Sequence, residues 1–318
     1  MLHYDKFQRM ARQAAPSFSP TDLRLLRIFQ AVARHEGFAA AQDELGLTPG
    51  TISNHIAHLE TRFGVRLCER GRKGFSLTPE GVLIHEAAEN LLRSIENFAG
   101  IVGSVRGELT GTVHLGTVDA MHTNSAARLD QAIARFSGLA PKVILHVEIS
   151  SPQDLLQRLL DGRYSVILTP IAEGHPSVSA KPLFNEEQRL YCGRDHLLYS
   201  HVEPLSVAVV KRFAYVARSY MKGPGAGQEA FDHRAMTSHM ETLAILINSG
   251  RFLGYLPVHF AQPFVDRGEM RSLLDAEMAY FDTFYLANRK AEHSRATALL
   301  SQCLTEVLTD SSLFQPSK

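Results

Sequence analysis

The sequence has few cysteines and no long apolar run. Its 318 residues include three cysteines, Cys68, Cys192 and Cys303, which are far apart and form no CxxC or Cys/His cluster. This pattern argues against a disulfide framework or a zinc site and suits a reducing cytoplasm. No run approaches the roughly 18 to 20 apolar residues of a membrane span, and no signal-peptide core is seen at the N-terminus. We therefore expect a cytoplasmic protein that does not enter the membrane.

The chain also lacks a charge excess and the common catalytic motifs. Its 33 Lys+Arg residues balance 33 Asp+Glu residues, so contact with nucleic acid would depend on a local basic patch. HExxH, GxSxG, GxxxxGK[ST] and a GxGxxG after a strand are all absent. The glycine-rich residues 223–227 include a proline and predict a mobile loop, which can serve as a lid. We expect no enzyme activity, no cofactor and no metal.

Apolar residues near the N-terminus recur at helical intervals. Residues 22–35 predict an amphipathic helix that is capped at Thr21 or Asp22. A second, short helix ends at Gly46, a residue suited to a left-handed helix terminus. Residues 1–20 precede these helices as an extension, which we expect to be solvated. Its basic residues offer extra contacts as an alternative.

A third helix follows the glycine turn. Thr48 caps it and Pro49 occupies its first position, where the missing N–H costs nothing. Apolar residues spaced four, three and four apart face the first two helices. Polar side chains, including Thr51, Ser53 and Asn54, remain on other faces. Two helices joined by a tight turn, the second with a polar outer face, are typical of a helix-turn-helix.

A basic hairpin comes next. Short alternating apolar runs flank residues 71–74, which predicts a hairpin with a glycine-flanked tip. One acid, Glu69, lies among five basic residues, which are Arg62, Arg66, Arg70, Arg72 and Lys73. This segment is basic although the whole chain is neutral. Such a wing can contact phosphates or enter a minor groove.

Together these residues resemble the LysR-type transcriptional regulators over about fifty positions. The residues that carry the likeness are Phe29, Val32, Gly37, Phe38, Leu45, Ile52, Ser53, Ile56, Leu59, Glu60, Gly64, Leu67, Arg70, Leu77 and Thr78. The family usually has Gln where this chain has Pro49, Arg at Asn54 and Phe at Cys68. The base preference of the third helix therefore does not carry over.

Double-stranded DNA is the partner expected of the N-terminal domain, residues 21–79. The predicted contacts come from the start of the third helix and from the wing, and they are Thr48, Thr51, Ser53, Asn54, Arg70, Arg72 and Lys73. Asn54 has the groups to read an adenine bidentately. Arg70 has an alternative structural role, as in the family.

A long helix follows over residues 80–107. Its apolar residues repeat at seven-residue steps with partners four residues on, as in helices that pair. The predicted pairing residues are Ile84, Leu91, Ile95, Phe98, Val102 and Val105. The alternative is that this stripe packs on the chain's own body. The resemblance implies a homodimer, and further a homotetramer, and two reading helices would then meet half-sites about 34 Å apart or a multiple of that.

Residues 111–318 alternate between strand and helix patterns. Such alternation implies parallel strands with crossover helices, and two α/β lobes joined by crossing strands would enclose a cleft. The fold class is therefore α/β and multidomain. A winged helix-turn-helix and a linker helix are followed by a two-lobed effector domain. The family resemblance implies a periplasmic-binding-protein-like fold for that domain, which senses a small effector.

The candidate effector residues lie at strand ends, where such sheets bind ligands. They are Thr117, Asp119, His122, Thr123, Ser150, Ser151, Thr169, Arg218, Ser219, Thr237 and Ser238. Hydroxyls and helix N-termini suit an anionic or zwitterionic metabolite, and a carboxylate-bearing effector is one expectation. Ser150 and Ser151 also suit helix caps, and Asp119 can either bind an amine or cap the helix that follows.

Two functions from different classes remain open. The first is a ligand-responsive, sequence-specific DNA-binding regulator that senses a metabolite between its lobes. The alternative is a small-molecule-binding or catalytic α/β protein whose N-terminal helices serve only association. The basic wing favours the first, because an association module has no need of it. An architectural protein without sequence preference would leave the α/β domain without a role. For Cys192 and Cys303, a role as buried spectators is favoured over a redox switch.

Overall fold

A computed structural model describes residues 18–71, 74–170, 174–201, 204–220 and 231–309. Contacts divide the chain into two compact units, residues 1–96 and 97–318, with the division inside a long helix. No helix in the described ranges is long and apolar enough to cross a bilayer.

The N-terminal unit is a three-helix domain with a hairpin. Its elements are α1 (Pro20–Arg34), α2 (Gln42–Leu45), α3 (Pro49–Phe63), β1 (Cys68–Gly71), β2 (Gly74–Leu77) and the first part of α4 (Pro79–Val105). β1 and β2 pair antiparallel, with Cys68 opposite Leu77. Phe29, Ile52, Ile56 and Leu59 are fully buried between the helices. The predicted helix-turn-helix and wing are therefore present.

Local capping explains where these helices begin and end. Gly46 (φ 61°) ends α2 in the left-handed region, and Thr48 caps α3 by accepting from Thr51 N, both as predicted. The predicted cap of α1 at Thr21 or Asp22 is wrong, because Ser19 is the N-cap. The Asp22 carboxylate instead accepts hydrogen bonds from Ser19 N (2.7 Å) and Oγ (2.8 Å). Asp22 therefore completes a capping box from its third position.

Glu60 and Thr78 hold the hairpin against α3. Glu60 Oε1 accepts from Leu67 N at 2.8 Å and from Cys68 N at 3.3 Å. Thr78 Oγ1 donates to Arg66 O at 2.6 Å and accepts from Gly81 N at 2.9 Å. These bonds fix both the strand leading into the wing and the helix leaving it.

The apolar stripe of α4 is divided between the unit's own core and solvent. Ile84 and Ile95 pack against the core of the N-terminal unit, where Ala88 is buried. The alternative, in which the stripe packs on the chain's own body, therefore holds for part of the stripe. Exposed residues continue the stripe, with Leu91 at 36%, Phe98 at 67%, Val102 at 43% and Val105 at 83% exposure.

The C-terminal unit is a two-lobed α/β domain built on a seven-stranded mixed sheet and a separate two-stranded parallel sheet. Its helices are α5 (Leu129–Leu139), α6 (Pro152–Leu160), α7 (Val207–Val210), α8 (Met240–Asn248), α9 (Val258–Asp266), α10 (Asp275–Met278) and α11 (Arg295–Thr309). Its strands are β3 (Gly111–Thr117), β4 (Val143–Ile149), β5 (Val166–Thr169), β6 (Val178–Gly193), β7 (Ala214–Arg218), β8 (Asp232–Thr237), β9 (Gly254–Pro257), β10 (Met270–Leu273) and β11 (Tyr280–Arg289). The larger sheet has the order β10-β6-β11-β5-β3-β4, and β9 also pairs with β6, whereas β7 and β8 form the smaller sheet.

Two long antiparallel strands, β6 and β11, connect the lobes. Lobe I contains the parallel strands β3, β4 and β5 with α5, α6 and α11 around one core. Lobe II contains β7 to β10 with α7 to α10 and has two core clusters. The predicted pair of lobes with crossing strands is therefore present.

Several local predictions in this unit are wrong. The pattern of residues 125–136 predicts one helix, but α5 starts only at Leu129, after a 3-10 turn at Met121–Thr123. The pattern of residues 236–238 predicts a loop, but Met236 and Thr237 end strand β8, which pairs in parallel with β7. Strand β10 and helix α9 had no sequence prediction. The segment 223–227 lies outside the described residues.

Candidate DNA-reading helix and effector cleft

The start of α3 presents small polar side chains to solvent. Thr48 and Asn54 are exposed and Thr51 and Ser53 are partly exposed, while Ile52 and Ile56 on the opposite face are fully buried. Thr48 Oγ1 lies 2.9 Å from Thr51 Oγ1. The helix N-terminus with these hydroxyls can meet a phosphate, and Asn54 can meet a base edge. The structure therefore brings the predicted reading residues of α3 to one end of the helix.

The wing residues are only partly described. Arg70 lies on β1, but its side chain, like Arg72 and Lys73, is outside the described part of the chain. Arg62 does not join the wing, because its Nη2 donates to the buried Asp22 carboxylate at 2.8 Å. That ion pair connects the last turn of α3 to the first turn of α1.

Six polar residues form a network where the lobes meet, which we call the cleft network. They are Asn124 from lobe I, Glu186, Gln188 and Asp282 from the crossing strands, and Arg218 and His259 from lobe II. Glu186 is 6% exposed, and its carboxylate accepts from Asn124 Nδ2 (2.9 Å) and Gln188 Nε2 (2.8 Å). His259 Nε2 lies 2.8 Å from the same carboxylate. Glu186 is thus a buried carboxyl group with three hydrogen-bond partners.

Arg218 is the buried cation of this network. Its Nη2 donates to Gln188 Oε1 (2.6 Å) and to the Tyr255 carbonyl (3.2 Å), and its Nη1 lies 3.4 Å from Asp282 Oδ2. Asp282 stands directly opposite Glu186 in the β6–β11 register. Two carboxylates therefore face each other across the pair of strands, and one guanidinium lies beside them.

Two hydrogen bonds run directly from lobe I to lobe II. Asp119, just after β3, accepts from Met240 N at 2.7 Å at the start of α8. Thr123 Oγ1 lies 2.8 Å from His259 Nδ1 on α9. Asp119 therefore caps a helix of the other lobe, not the one that follows it. Both contacts depend on the lobes being close together.

The environment shifts the acidity of two carboxyls at the lobe junction. Burial raises the pKa of Asp282, and the adjacent Arg218 guanidinium lowers it only in part. Burial also raises the pKa of Asp119, against the hydrogen bond from Met240 and the nearby His239 and Arg218. Desolvation favours the neutral form of both groups. A cation that entered this cleft would favour the ionised forms.

The remaining predicted effector residues have mixed surroundings. Thr117 and Thr169 are buried at strand ends, and Ser150 donates its backbone N–H to Thr117 O at 2.9 Å. Ser151 caps α6 by accepting from Asp154 N. Four predicted residues remain. His122 and Ser219 are exposed, Ser238 is partly exposed, and Thr237 Oγ1 accepts a hydrogen bond from His239 N. Asp119, Thr123 and Arg218 are the predicted residues that meet at the lobe junction.

Sequence reasoning missed most of the cleft network. Asn124, Glu186, Gln188, His259 and Asp282 were not among the candidates. One signal was available, because residues 185–189 are all polar, and alternate positions of a strand share a face. Glu186 and Gln188 point to the network, whereas Glu187 and Arg189 pair with each other at 2.7 Å.

The cysteines are buried in different cores. Cys192 belongs to a core cluster of lobe II and Cys303 to that of lobe I. Burial raises the pKa of Cys192 to about 11, so its thiol is protonated and unreactive near neutral pH. This placement favours the spectator interpretation over a redox switch.

Comparison with known proteins identifies both halves of the chain. A family described as "Bacterial regulatory helix-turn-helix protein, lysR family" matches residues 23–82, and one described as "LysR substrate binding domain" matches residues 106–309. The HTH-type transcriptional activator BauR of Pseudomonas aeruginosa is 34% identical over 88% of this chain and 94% of its own length.

Solved structures share the fold. Full-length CbnR complexed with its target DNA aligns with a TM-score of 0.64 and 16% identity, over 91% of this chain and all of that one (100%). A full-length OxyR variant from Pseudomonas aeruginosa aligns with a TM-score of 0.57 and 21% identity, over 92% and 98% of the two chains. The chain belongs to the LysR family of transcriptional regulators, which combine a DNA-binding helix-turn-helix with a domain that binds a small-molecule effector.

Proposed function

We propose that this protein acts as a dimer that reads DNA with α3 and senses its effector at the cleft network, and that it has no catalytic role. The observation that carries the proposal is the pair of lobe-to-lobe hydrogen bonds from Asp119 and Thr123. A ligand that changes the distance between lobes must make or break these bonds, so it shifts the populations of the domain's conformations.

The DNA contacts proposed are those of α3 and the wing. Thr48, Thr51, Ser53 and Asn54 contact bases or phosphates, and Arg70, Arg72 and Lys73 contact the backbone or the minor groove. Selection of genomic DNA fragments by the purified full chain at physiological salt tests this. Recovery of a pseudo-palindromic site supports it, whereas enrichment of no sequence contradicts the reading function.

Replacing Asn54 with alanine should alter base preference more than overall affinity. Asn54 is exposed near the start of α3, and a bidentate amide contact contributes about 1 to 3 kcal/mol of discrimination. The variant should therefore tolerate other bases at one position of each half-site, as measured by binding to a library of single-base variants. Thr61→Ala, in the last turn of α3, is the control and should keep the wild-type preference. An unchanged preference for Asn54→Ala would exclude it as a reading residue.

Dimerisation is proposed through the outer stripe of α4. Among the pairing residues, Leu91, Phe98, Val102 and Val105 are exposed, whereas Ile84 and Ile95 also contact the chain's own core. Exposed apolar residues in one line favour pairing with the same stripe of a second copy. A tetramer rests on the family resemblance alone.

Phe98→Asp should weaken dimerisation about a hundredfold or more. Phe98 is 67% exposed, and burying such a ring contributes about 1.5 to 3 kcal/mol, counted twice in a two-fold interface. Sedimentation over a range of concentrations measures the change. Ala99→Asp introduces the same charge at an exposed neighbour outside the stripe and should leave the dimer intact. Equal association of Phe98→Asp and wild type would place the interface elsewhere.

A further inference from the structure

Two carboxyl groups at the lobe junction are partly open to a ligand. The side chains of Asp119 and Asp282 are 18% and 17% exposed, whereas that of Arg218 is 4% exposed. Both terminal nitrogens of Arg218 already face acceptors, namely Asp282, Gln188 and the Tyr255 carbonyl. Asp119 and Asp282 are therefore the more accessible charged groups, and of the Arg218 guanidinium only Nε has no acceptor.

The Asp282 carboxyl receives fewer hydrogen bonds than a buried carboxylate normally accepts. Among the described residues, the one polar contact of this carboxyl is Arg218 Nη1, at 3.4 Å. Glu186, directly opposite on β6, has three partners within 2.9 Å. Like charges at directly opposed strand positions destabilise a sheet, and a carboxylate normally accepts several hydrogen bonds. An ammonium group would supply the hydrogen-bond donors that Asp282 lacks.

Two buried polar atoms, one on Arg218 and one at the end of β3, also lack partners in the described structure. Arg218 Nε, on the same planar guanidinium that faces Asp282, has no hydrogen-bond acceptor. Thr117 Oγ1, two residues before Asp119, has no partner although the residue is 3% exposed. Buried polar atoms in native proteins are nearly always paired. Either atom would be satisfied by a hydrogen-bond acceptor on a ligand.

We propose, on the basis of the function proposed above, that the effector is a small zwitterion whose ammonium group binds Asp282 and Asp119. Its carboxylate, the acceptor for Arg218 Nε and Thr117 Oγ1, lies at the other end. The ammonium supplies hydrogen-bond donors to Asp282 and, as a cation, favours the ionised forms of both aspartates. A simple organic anion lacks that group and does not bind.

The test uses the full chain and a set of matched probes. The probes are unbranched amino acids of increasing length. Each has two counterparts: the carboxylate in which a methyl group replaces the ammonium group, and the dicarboxylate in which a second carboxylate replaces it. Thermal unfolding reports binding, and protection of the selected DNA site reports the response. We expect at least one amino acid to raise the Tm and change the protection pattern, and its methyl and dicarboxylate counterparts to do neither.

Variants then locate the ammonium. Asp282→Asn and, separately, Asp119→Asn keep an acceptor oxygen but lose the charge, and each should weaken binding of the amino acid about tenfold or more. Asp275→Asn is the control, because Asp275 pairs with Arg189 and Ser272 in lobe II. Unchanged urea midpoints confirm that the variants fold.

Three results would overturn the inference. These are equal binding of a methyl or dicarboxylate counterpart, full affinity in both cleft variants, and no response to any amino acid by a chain that still selects its DNA site. Each leaves the regulatory function standing, because that function fails only if the full chain selects no DNA sequence.

Discussion

Arg218→Met should destabilise the C-terminal unit by about 3 to 5 kcal/mol. Removing one partner of a buried ion pair leaves the other charge uncompensated, and the loss usually exceeds that of removing both. Here the change would strand Asp282 beside Glu186 and would leave Gln188 Oε1 and the Tyr255 carbonyl without their donor. Urea unfolding followed by a signal from the C-terminal unit measures the loss.

Two comparisons show whether this loss comes from the stranded charge. Arg234→Met removes an arginine that is 67% exposed and pairs with Asp232 on the same strand, so its effect should stay within about 0.5 kcal/mol. Adding Asp282→Asn to Arg218→Met should recover part of the stability, since the buried anion is then gone. If the free energy of unfolding fell by less than about 1 kcal/mol in Arg218→Met, the network would not depend on its cation.

Asp22→Ala should destabilise the N-terminal unit by about 3 kcal/mol and reduce DNA binding. The fully buried carboxylate accepts from Ser19 N, Ser19 Oγ and Arg62 Nη2. Losing a helix cap costs about 1 kcal/mol and losing a hydrogen bond to a charged group about 1.5 to 3 kcal/mol. Because the ion pair connects α1 with α3, the reading helix also loses its support. Hydrogen exchange of α1 and α3 amides measures the effect.

The same residue predicts a pH dependence. Burial by itself raises the pKa of Asp22, but the hydrogen bonds from Ser19 and the Arg62 charge outweigh it, so the pKa is below its usual value. The ionised carboxylate therefore stabilises the fold fully above the unfolded pKa of about 4. This contribution is lost as the pH falls through the lower, folded pKa. The stability difference between wild type and Asp22→Asn, measured by urea unfolding, should shrink over that range.

The DNA-binding half was largely predictable because its signals are local. Apolar spacing, the Thr48 cap and the glycine at position 46 each act within one or two helical turns, and the structure has all three. The start of α1 was misplaced because Ser19 and Asp22 are both good caps, and the choice depends on Arg62, 40 residues away. Helix α9 was missed since it contains Pro263, a residue that disfavours helix interiors.

The helix-turn-helix, the wing, the seven-residue repeat of α4 and the α/β alternation follow from the residues alone, because they depend on neighbours along the chain. The cleft instead depends on contacts between distant residues. Glu186 contacts His259 across 73 residues of sequence and Arg218 contacts Asp282 across 64. Strand register placed Asp282 opposite Glu186, and register follows from the packing of whole lobes. The charge of the effector site is therefore a property of the folded domain.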